Sequence, residues 1–328
     1  MQDIIIGIDV AKKKMDVAFL LNGKFTMKEY PNNEKGYLHI ISWLKSKGFD
    51  TAFICMEATG IYSEKIADYF YGIGFPVSVV NPFQIKRYGQ SRLLRNKTDR
   101  ADARVIAQFA EAMKPVLWQP SSPILKGLKA NNRQLERLKQ MLLQESNRVL
   151  EERDPYIVKS INRVISCLKD EIKQFENNID NEIKKDPELK EQRKLLESIP
   201  GIGSETSKQL IINIDIDRFK NAKQISAFIG LNPRQHQSGS SVRGRTRISK
   251  MGDSKLRKAF YMPAIVSIRH NPVVKNFYEN LIKRGKPKMV AICAAMRKLV
   301  HIAYGVLKSK QPFSVESGSR GRFREKIA

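Results

Sequence analysis

The sequence predicts a mixed α/β N-terminal domain, a helical coiled-coil middle and a mainly α-helical C-terminal domain, over residues 1–120, 121–190 and 191–328. Three observations predict it. Strand-like apolar runs alternate with helical patterns through the first eighty or so residues. A heptad-like repeat follows Pro120 and Pro123. From Leu195 the chain turns to helical patterns arranged around a basic, glycine-rich segment. With 328 residues and 41% hydrophobic content, the chain can bury more than one core.

IIIGIDV, KMDVAFLL and KFTMKEY, within residues 4–30, read as three strands separated by AKK and by Asn22-Gly23, a hairpin signal. NEKGYLHIISWLKSKG then has the apolar spacing of an amphipathic helix closed by Gly48. TAFICME reads as a buried strand, IYSEKIADYFYGIG as a helix and PVSVV as another strand. A helix from about Thr98 to Met113, with Thr98 as N-cap, completes the domain. Three meandering strands, helix, strand, helix, strand is the order of the ribonuclease-H-like fold.

In the middle segment, Leu128, Leu135, Leu138, Leu142 and Val149 follow a partly filled heptad. After Asp154-Pro155 a fuller one appears: Ile161, Ile165, Leu168, Ile172, Phe175 and Ile179. Together they predict a long helical hairpin over about residues 124–186, ended by Asp186-Pro187, that pairs with another subunit or folds only on itself. SIPGIG, residues 198–203, followed by SETSKQLIINI, is similar to the hairpin of a helix-hairpin-helix element, whose glycine turn offers N–H groups to a phosphate. A proline-glycine turn is also an ordinary helix connection. Helices are expected over about 221–229, 253–269 and 287–307, and the tail SVESGSRGRFREKIA is expected to stay disordered until an anion binds it.

The formal charge of +26 exceeds what solubility requires and points to a polyanionic partner, nucleic acid by default. Residues 231–328 hold 22 Lys and Arg against 4 Asp and Glu, a net of +18, which leaves +8 for the first 230. The C-terminal third is therefore the polyanion-binding end. Uninterrupted apolar runs fall short of the roughly 20 residues of a membrane span, and the N-terminus lacks the pattern of a signal peptide, so no membrane partner and a cytoplasmic location are expected. Cys55, Cys167 and Cys293 stand singly, without a CxxC pair, and read as packing residues in a reducing compartment.

Four carboxylates stand out. Asp9 interrupts an apolar strand, where a charge is costly unless it binds something. Glu57 ends the fourth strand, which lies beside the first in this topology. Asp99 and Asp102, in NKTDRADAR, are three apart at a helix start and share a face. Four converging acids repel unless cations hold them, and Mg²⁺ prefers such oxygen ligands. Each acid has an ordinary role open to it: Asp99 a helix cap, Asp102 a partner of Arg95 or Arg104, Glu57 a solvated strand end. Asp16 and Glu64 have a weaker claim by alternation and helix phase. The ordinary roles would require four coincidences at the positions where this topology puts metal ligands.

Asp9, the MEATGIY around Glu57, LRNKTDRADAR, KLLESIPGIG and FIGLNPRQHQSGSSVRGRTRISKMGDSKLRKAFYMPA resemble, in order along nearly the whole chain, the DEDD transposases of the insertion-sequence one-ten family. The resemblance implies a RuvC-like DEDD domain, a coiled coil and a C-terminal transposase domain with a nucleophilic serine. It implies that Asp9, Glu57, Asp99 and Asp102 hold Mg²⁺, two ions per site, and that Ser238 is the nucleophile, with Ser240 and Ser241 as competitors. Its implied partners are target and donor double-stranded DNA, a structured guide (bridge) RNA, and a homodimer assembling to a homotetramer whose subunits complete each other's active sites. Arg234, Arg243, Arg245, Arg247 and Lys250 would contact nucleic acid, and His236 is a secondary candidate for proton transfer. Three other readings compete. A RuvC-type nuclease would use water; an actin- or sugar-kinase-like fold would use IIIGIDVAKKKMDVAF to hold ATP; a nucleic-acid scaffold would do no chemistry. The kinase reading lacks a second Asp-x-Gly phosphate loop and a Gly-Gly adenosine motif.

Overall fold

The computed structural model describes residues 4–92, 99–234, 237–238, 242–243 and 247–316. It forms two compact units, residues 1–122 and 123–328.

The first unit is a five-stranded mixed sheet in the order β3-β2-β1-β4-β5. β1 (Ile5–Val10), β2 (Lys14–Leu21) and β3 (Lys24–Pro31) form an antiparallel meander. Asn22 and Gly23 both take positive φ, 51° and 73°, the geometry that closes a two-residue hairpin. β4 (Phe53–Glu57) runs parallel to β1, and β5 (Val77–Val80) parallel to β4. One sheet face carries Ile6, Ile8, Val17, Phe19, Ile54 and Met56 and packs on α1 (Glu34–Ser46) and α2 (Ile61–Gly72) through Ile40, Leu44, Ile66 and Phe70. Full burial of each such side chain contributes about 1.5–3 kcal/mol.

The opposite face is built from smaller residues. Gly7, Ala18 and Cys55 leave room for α4 (Asp99–Met113), whose Ala103, Ala107 and Ala110 are also small. A Cβ on Gly7 would overlap the Ala103 carbonyl oxygen and the Ala107 nitrogen, so this close approach requires glycine. Two elements escaped the sequence reading or lie partly outside the description. α3 (Pro82–Ser91), capped by Asn81, was not expected, and the proposed Thr98 cap of α4 lies outside the described residues.

The second unit contains both the hairpin and the C-terminal region that the sequence distinguished. α5 (Pro123–Glu151) and α6 (Pro155–Lys185) form the hairpin, and the Asp154 carboxylate accepts from the Tyr156 and Ile157 nitrogens to start α6. Leu128, Leu135, Leu138, Leu168, Ile172 and Ile179 are buried in the same core as residues from α7 (Pro187–Glu197), α8 (Ser204–Asn213), α9 (Ala222–Ile229) and α13 (Lys288–Ser309). Toward the hairpin tip the apolar side chains Leu143, Leu150, Tyr156 and Val164 are exposed.

The helix expected over 253–269 is two, α10 (Ser254–Ala259) and α11 (Tyr261–His270), separated at Phe260, and α12 (Pro272–Lys283) was not anticipated. α13 is long and apolar enough to cross a bilayer by composition, although Arg297, Lys298 and His301 interrupt its apolar run. Its Ala291, Ala295, Leu299, Val300, Ile302 and Ala303 instead lie buried within this unit. The cysteines divide: Cys55 is buried, its thiol pushed up to about 12 by burial, whereas Cys167 is exposed on α6.

Candidate active site

One edge of the sheet collects acids because of how the strands run. Asp9 is at the C-terminal end of β1 and Glu57 at that of β4; the parallel register pairs Ile8 with Met56, so the next position along brings Asp9 beside Glu57. Both are half-buried. Side-chain alternation puts them on the same face as Gly7 and Cys55, the face covered by α4.

The direction of α4 follows from how its far end is held. Ser78 Oγ donates to the carbonyls of Pro115 (3.1 Å) and Val116 (2.8 Å), and Trp118 N donates to Val77 O (2.7 Å), all at the start of β5. α4 therefore begins at the opposite, carboxylate-bearing edge. Asp102, half-buried, directly precedes the Ala103 that lies over Gly7, and the backbone of Asp99 is one turn earlier.

A fifth acid shares this face. Asp16 is directly opposite Asp9 in the β1–β2 ladder and only 3% exposed. Its charge is met by Lys14 Nζ at 3.1 Å, and Lys14 also reaches Glu29 at 3.2 Å. Like charges paired across strands are destabilising, so Lys14 offsets a repulsion that the fold creates. The register of the first hairpin, which alternation along a single strand does not reveal, is the signal that finds Asp16. Among the described residues, no group of three or more His, Cys, Asp or Glu side chains is close enough to form a ready-made metal site. The donor chemistry at this edge is nevertheless all carboxylate oxygen, the type that hard divalent cations take.

The described residues of the basic segment in the second unit form two short ladders. β6 (Pro233–Arg234) pairs with β9 (Arg247–Ile248), and β7 (Gln237–Ser238) with β8 (Val242–Arg243), in register Ser238↔Val242. Ser238 thus has its backbone in a short ladder. His236, Ser240, Ser241 and Arg245 lie outside the described residues. The base of the segment is fixed: Ser249 N donates to Asn232 O (2.8 Å), Asp253 N to Phe228 O (2.9 Å), and Arg257 Nη1 to Ile229 O (3.1 Å). Arg234, Arg247 and Lys250 are exposed there.

SIPGIG joins α7 to α8. Gly201 has φ +104°, and a Cβ there would collide with Ser267. Ser267 Oγ donates to Pro200 O at 2.9 Å, which fastens the turn to α11. The first turn of α8 holds Glu205, paired with Lys208 at 3.1 Å, an acid where a bound phosphate would prefer none.

Comparison with known proteins decides the family. A model of IS110-type DEDD transposases, described as a transposase, matches residues 6–152, and the transposase model of the IS116/IS110/IS902 family matches residues 193–279. A pilin gene-inverting protein of Moraxella bovis is 35% identical over 317 residues, covering 95% of this chain and 98% of its own. The chain belongs to the IS110-type transposases. A second pilin gene-inverting protein, from Moraxella lacunata, has the same identity and coverage. The transposase for insertion sequence element IS1111A of Coxiella burnetii is 28% identical over 306 residues, 84% of this chain and 80% of its own. The protein is accordingly a DNA transposase or recombinase, and its DEDD domain implies dependence on a divalent metal. The two matched regions contain, respectively, the acid-bearing edge and the basic segment.

Proposed function

We propose that this transposase cleaves and rejoins DNA through a covalent phosphoserine linkage made by Ser238, with Asp9, Glu57, Asp99 and Asp102 of a RuvC-like, ribonuclease-H-like domain as metal ligands. The observation that carries this reading is the shared sheet edge: Asp9 beside Glu57 in register, with α4 starting over them.

These carboxylates would hold Mg²⁺, two ions per site, which would supply charge stabilisation at the scissile phosphate and acidify the attacking hydroxyl. The chain's own groups do the rest. Ser238 Oγ forms a bond to phosphorus as the P–O3′ bond breaks, and the departing 3′ oxygen takes up a proton. The phosphodiester energy is kept in the new linkage, so a 3′-hydroxyl from another strand can reverse the attack and join to a new end without ATP. Arg234, Arg243, Arg245, Arg247 and Lys250 bind phosphate oxygens and neutralise developing charge.

Similarity to proteins named for inverting a pilin gene supports reading the reaction as exchange between two DNA sites. The family resemblance supports a structured bridge RNA that selects target and donor, and a homodimer assembling to a homotetramer. The apolar side chains exposed near the hairpin tip support pairing of subunits there. A cytoplasmic location is consistent with all of these partners.

The test is a covalent trap. Wild-type protein with Mg²⁺ and element-end DNA should yield a protein-DNA adduct stable to denaturant. Ser238→Ala should yield none, and Asp9→Asn should lose both adduct and cleavage while remaining folded. Cleavage retained in Ser238→Ala would replace this mechanism with water attack, as in a RuvC-type nuclease. Sequencing the RNA that copurifies with the protein tests the guide: one structured, element-encoded species is expected, and random cellular RNA would refute it.

A further inference from the structure

Several cations of the second unit are matched to acids. Arg193 meets Asp180 and Glu197 at 2.9 Å each, Lys208 meets Glu205, Lys308 meets Asp217 at 2.7 Å, Arg218 meets Asp215 at 2.9 Å, and Lys255 meets Glu136. The face where α9 packs on α13 is different. Arg297 and His301 stand one turn apart on α13, and the buried Arg297 Nε and His301 Nε2 have no hydrogen-bond partner among the described residues. Each unsatisfied buried polar atom costs about 1–3 kcal/mol, so such a pair calls for an explanation.

The charges that act on His301 share one sign. The charged groups that act on His301 are Arg297 and Lys298 of its own helix and Lys223 of α9, all cationic. Burial and these three charges hold its imidazole down to about 4. The face also continues toward the basic segment. The Cys293 thiol, one turn before Arg297, is pushed up by burial and drawn back by the charge of Lys250, which therefore acts on the same stretch of α13. Like-charged groups converging on buried, unpaired donors are what an anion seat looks like before its anion arrives.

We propose that the α9/α13 face is a phosphodiester-binding seat formed by Lys223, Arg297, Lys298 and His301, which extends the phosphate track of residues 232–252 through Lys250. The inference rests on the chain acting on nucleic acid, and is independent of Ser238 or the carboxylates being catalytic. An entering phosphate supplies the acceptor that Arg297 and His301 lack and reverses the sign of the field on His301. The seat reads no sequence, since phosphate contacts position a backbone without distinguishing bases.

The test compares Lys223→Gln/Lys298→Gln with the wild type in the full chain. Binding of a labelled duplex DNA and of a single-stranded RNA of equal length is followed across a salt series. A Lys45→Gln/Lys47→Gln control removes the same charge from the exposed end of α1 in the other unit. The seat predicts affinity lower by about tenfold or more and a log-log salt slope shallower by about 1.4–1.8, for two lost contacts at roughly 0.7 each on RNA or 0.9 on duplex DNA. A loss on DNA alone assigns the seat to DNA, and a loss on RNA alone assigns it to RNA. Slopes equal to the control on both overturn it. Independently, the His301 imidazole resonance should titrate at higher pH once the ligand is added, and an unmoved titration overturns the seat even if the slopes fall. Asp9→Asn separates the two proposals, because it should abolish strand exchange yet bind with the wild-type salt slope.

Discussion

Gly7→Ala tests whether the close packing of α4 on the sheet positions the reaction. The added methyl would meet Ala103 O, Ala107 N and Ala107 Cα, the last at 2.9 Å, whereas carbon atoms settle at about 3.5–4.0 Å. All three obstacles are backbone atoms, so no side chain can rotate away, and α4 must shift by about 1 Å. Overpacking of this kind costs about 1–3 kcal/mol, with backbone obstacles favouring the upper part of that range. The helix carries Asp99 and Asp102, and a displacement of about 1 Å at reacting groups can cost about 10²-fold in rate. Urea denaturation should show a lower midpoint with an unchanged slope, and strand exchange should fall by about two orders of magnitude at a temperature where the variant is folded. An unaltered midpoint would mean that α4 does not rest on Gly7. A lower midpoint with a wild-type rate would mean that α4 does not carry the chemistry.

Gly127 lies inside α5 with nothing within 4 Å of an added Cβ, so Gly127→Ala should raise stability by about 0.5–1 kcal/mol and leave activity unchanged, as read by the urea midpoint. Ser267→Ala removes the donor to Pro200 O and should cost about 1–2 kcal/mol in the same assay, with Asn271 Nδ2, at 3.5 Å from that oxygen, a weak substitute. His301 is held neutral in the fold, its pKa lowered from 6.5 to about 4 by burial first and by Arg297, Lys298 and Lys223 after it. Its contribution is therefore present above pH 6.5 and fades as pH falls from 6.5 to about 4, because there the unfolded chain binds the extra proton. That shift corresponds to at most about 3 kcal/mol, reduced by partial exposure to about 1–2 kcal/mol. In His301→Gln the loss of stability between about pH 7 and about pH 4.5 should be smaller by this amount, and an identical pH dependence would show that His301 titrates normally.

Much of the first unit was legible in the sequence because its signals are local. Asn22-Gly23 closes a hairpin wherever it stands between alternating strands, and the order of strands and helices through Val80 admits few topologies. The Asp-Pro pairs at 154–155 and 186–187 start helices through a side-chain cap and a fixed proline φ, which again needs no distant partner. α3 was missed because NPFQIKRYGQ buries only Ile85, too little apolar periodicity to register. The break at Phe260 was missed because α10 and α11 both have helical sequences, and the separation appears only once they pack.

The candidate site divides in the same way. Asp9, Glu57, Asp99 and Asp102 could be singled out in the sequence because each is a chemically marked residue in a recognisable local pattern, whereas only the family resemblance selects Ser238 over Ser240 and Ser241. The side chains of Asp99 and Ser238 remain outside the structural description, so their roles rest on that pattern and on family membership. Asp16 was discounted because its importance depends on cross-strand register, which pairs it with Asp9 and buries it. Likewise, Gly7 in a strand says only that something approaches closely; that α4 is what approaches, and that it begins at the acid-bearing edge, follows from Ser78 and Trp118 holding its far end. By itself the sequence determined most element types, the charge asymmetry and the candidate carboxylates, because those depend on composition, propensity and short-range spacing. Only the tertiary structure decided which acids share an edge and that the buried Arg297 Nε and His301 Nε2 have no hydrogen-bond partner among the described residues, because register, helix direction and burial are set by contacts between segments far apart in the chain.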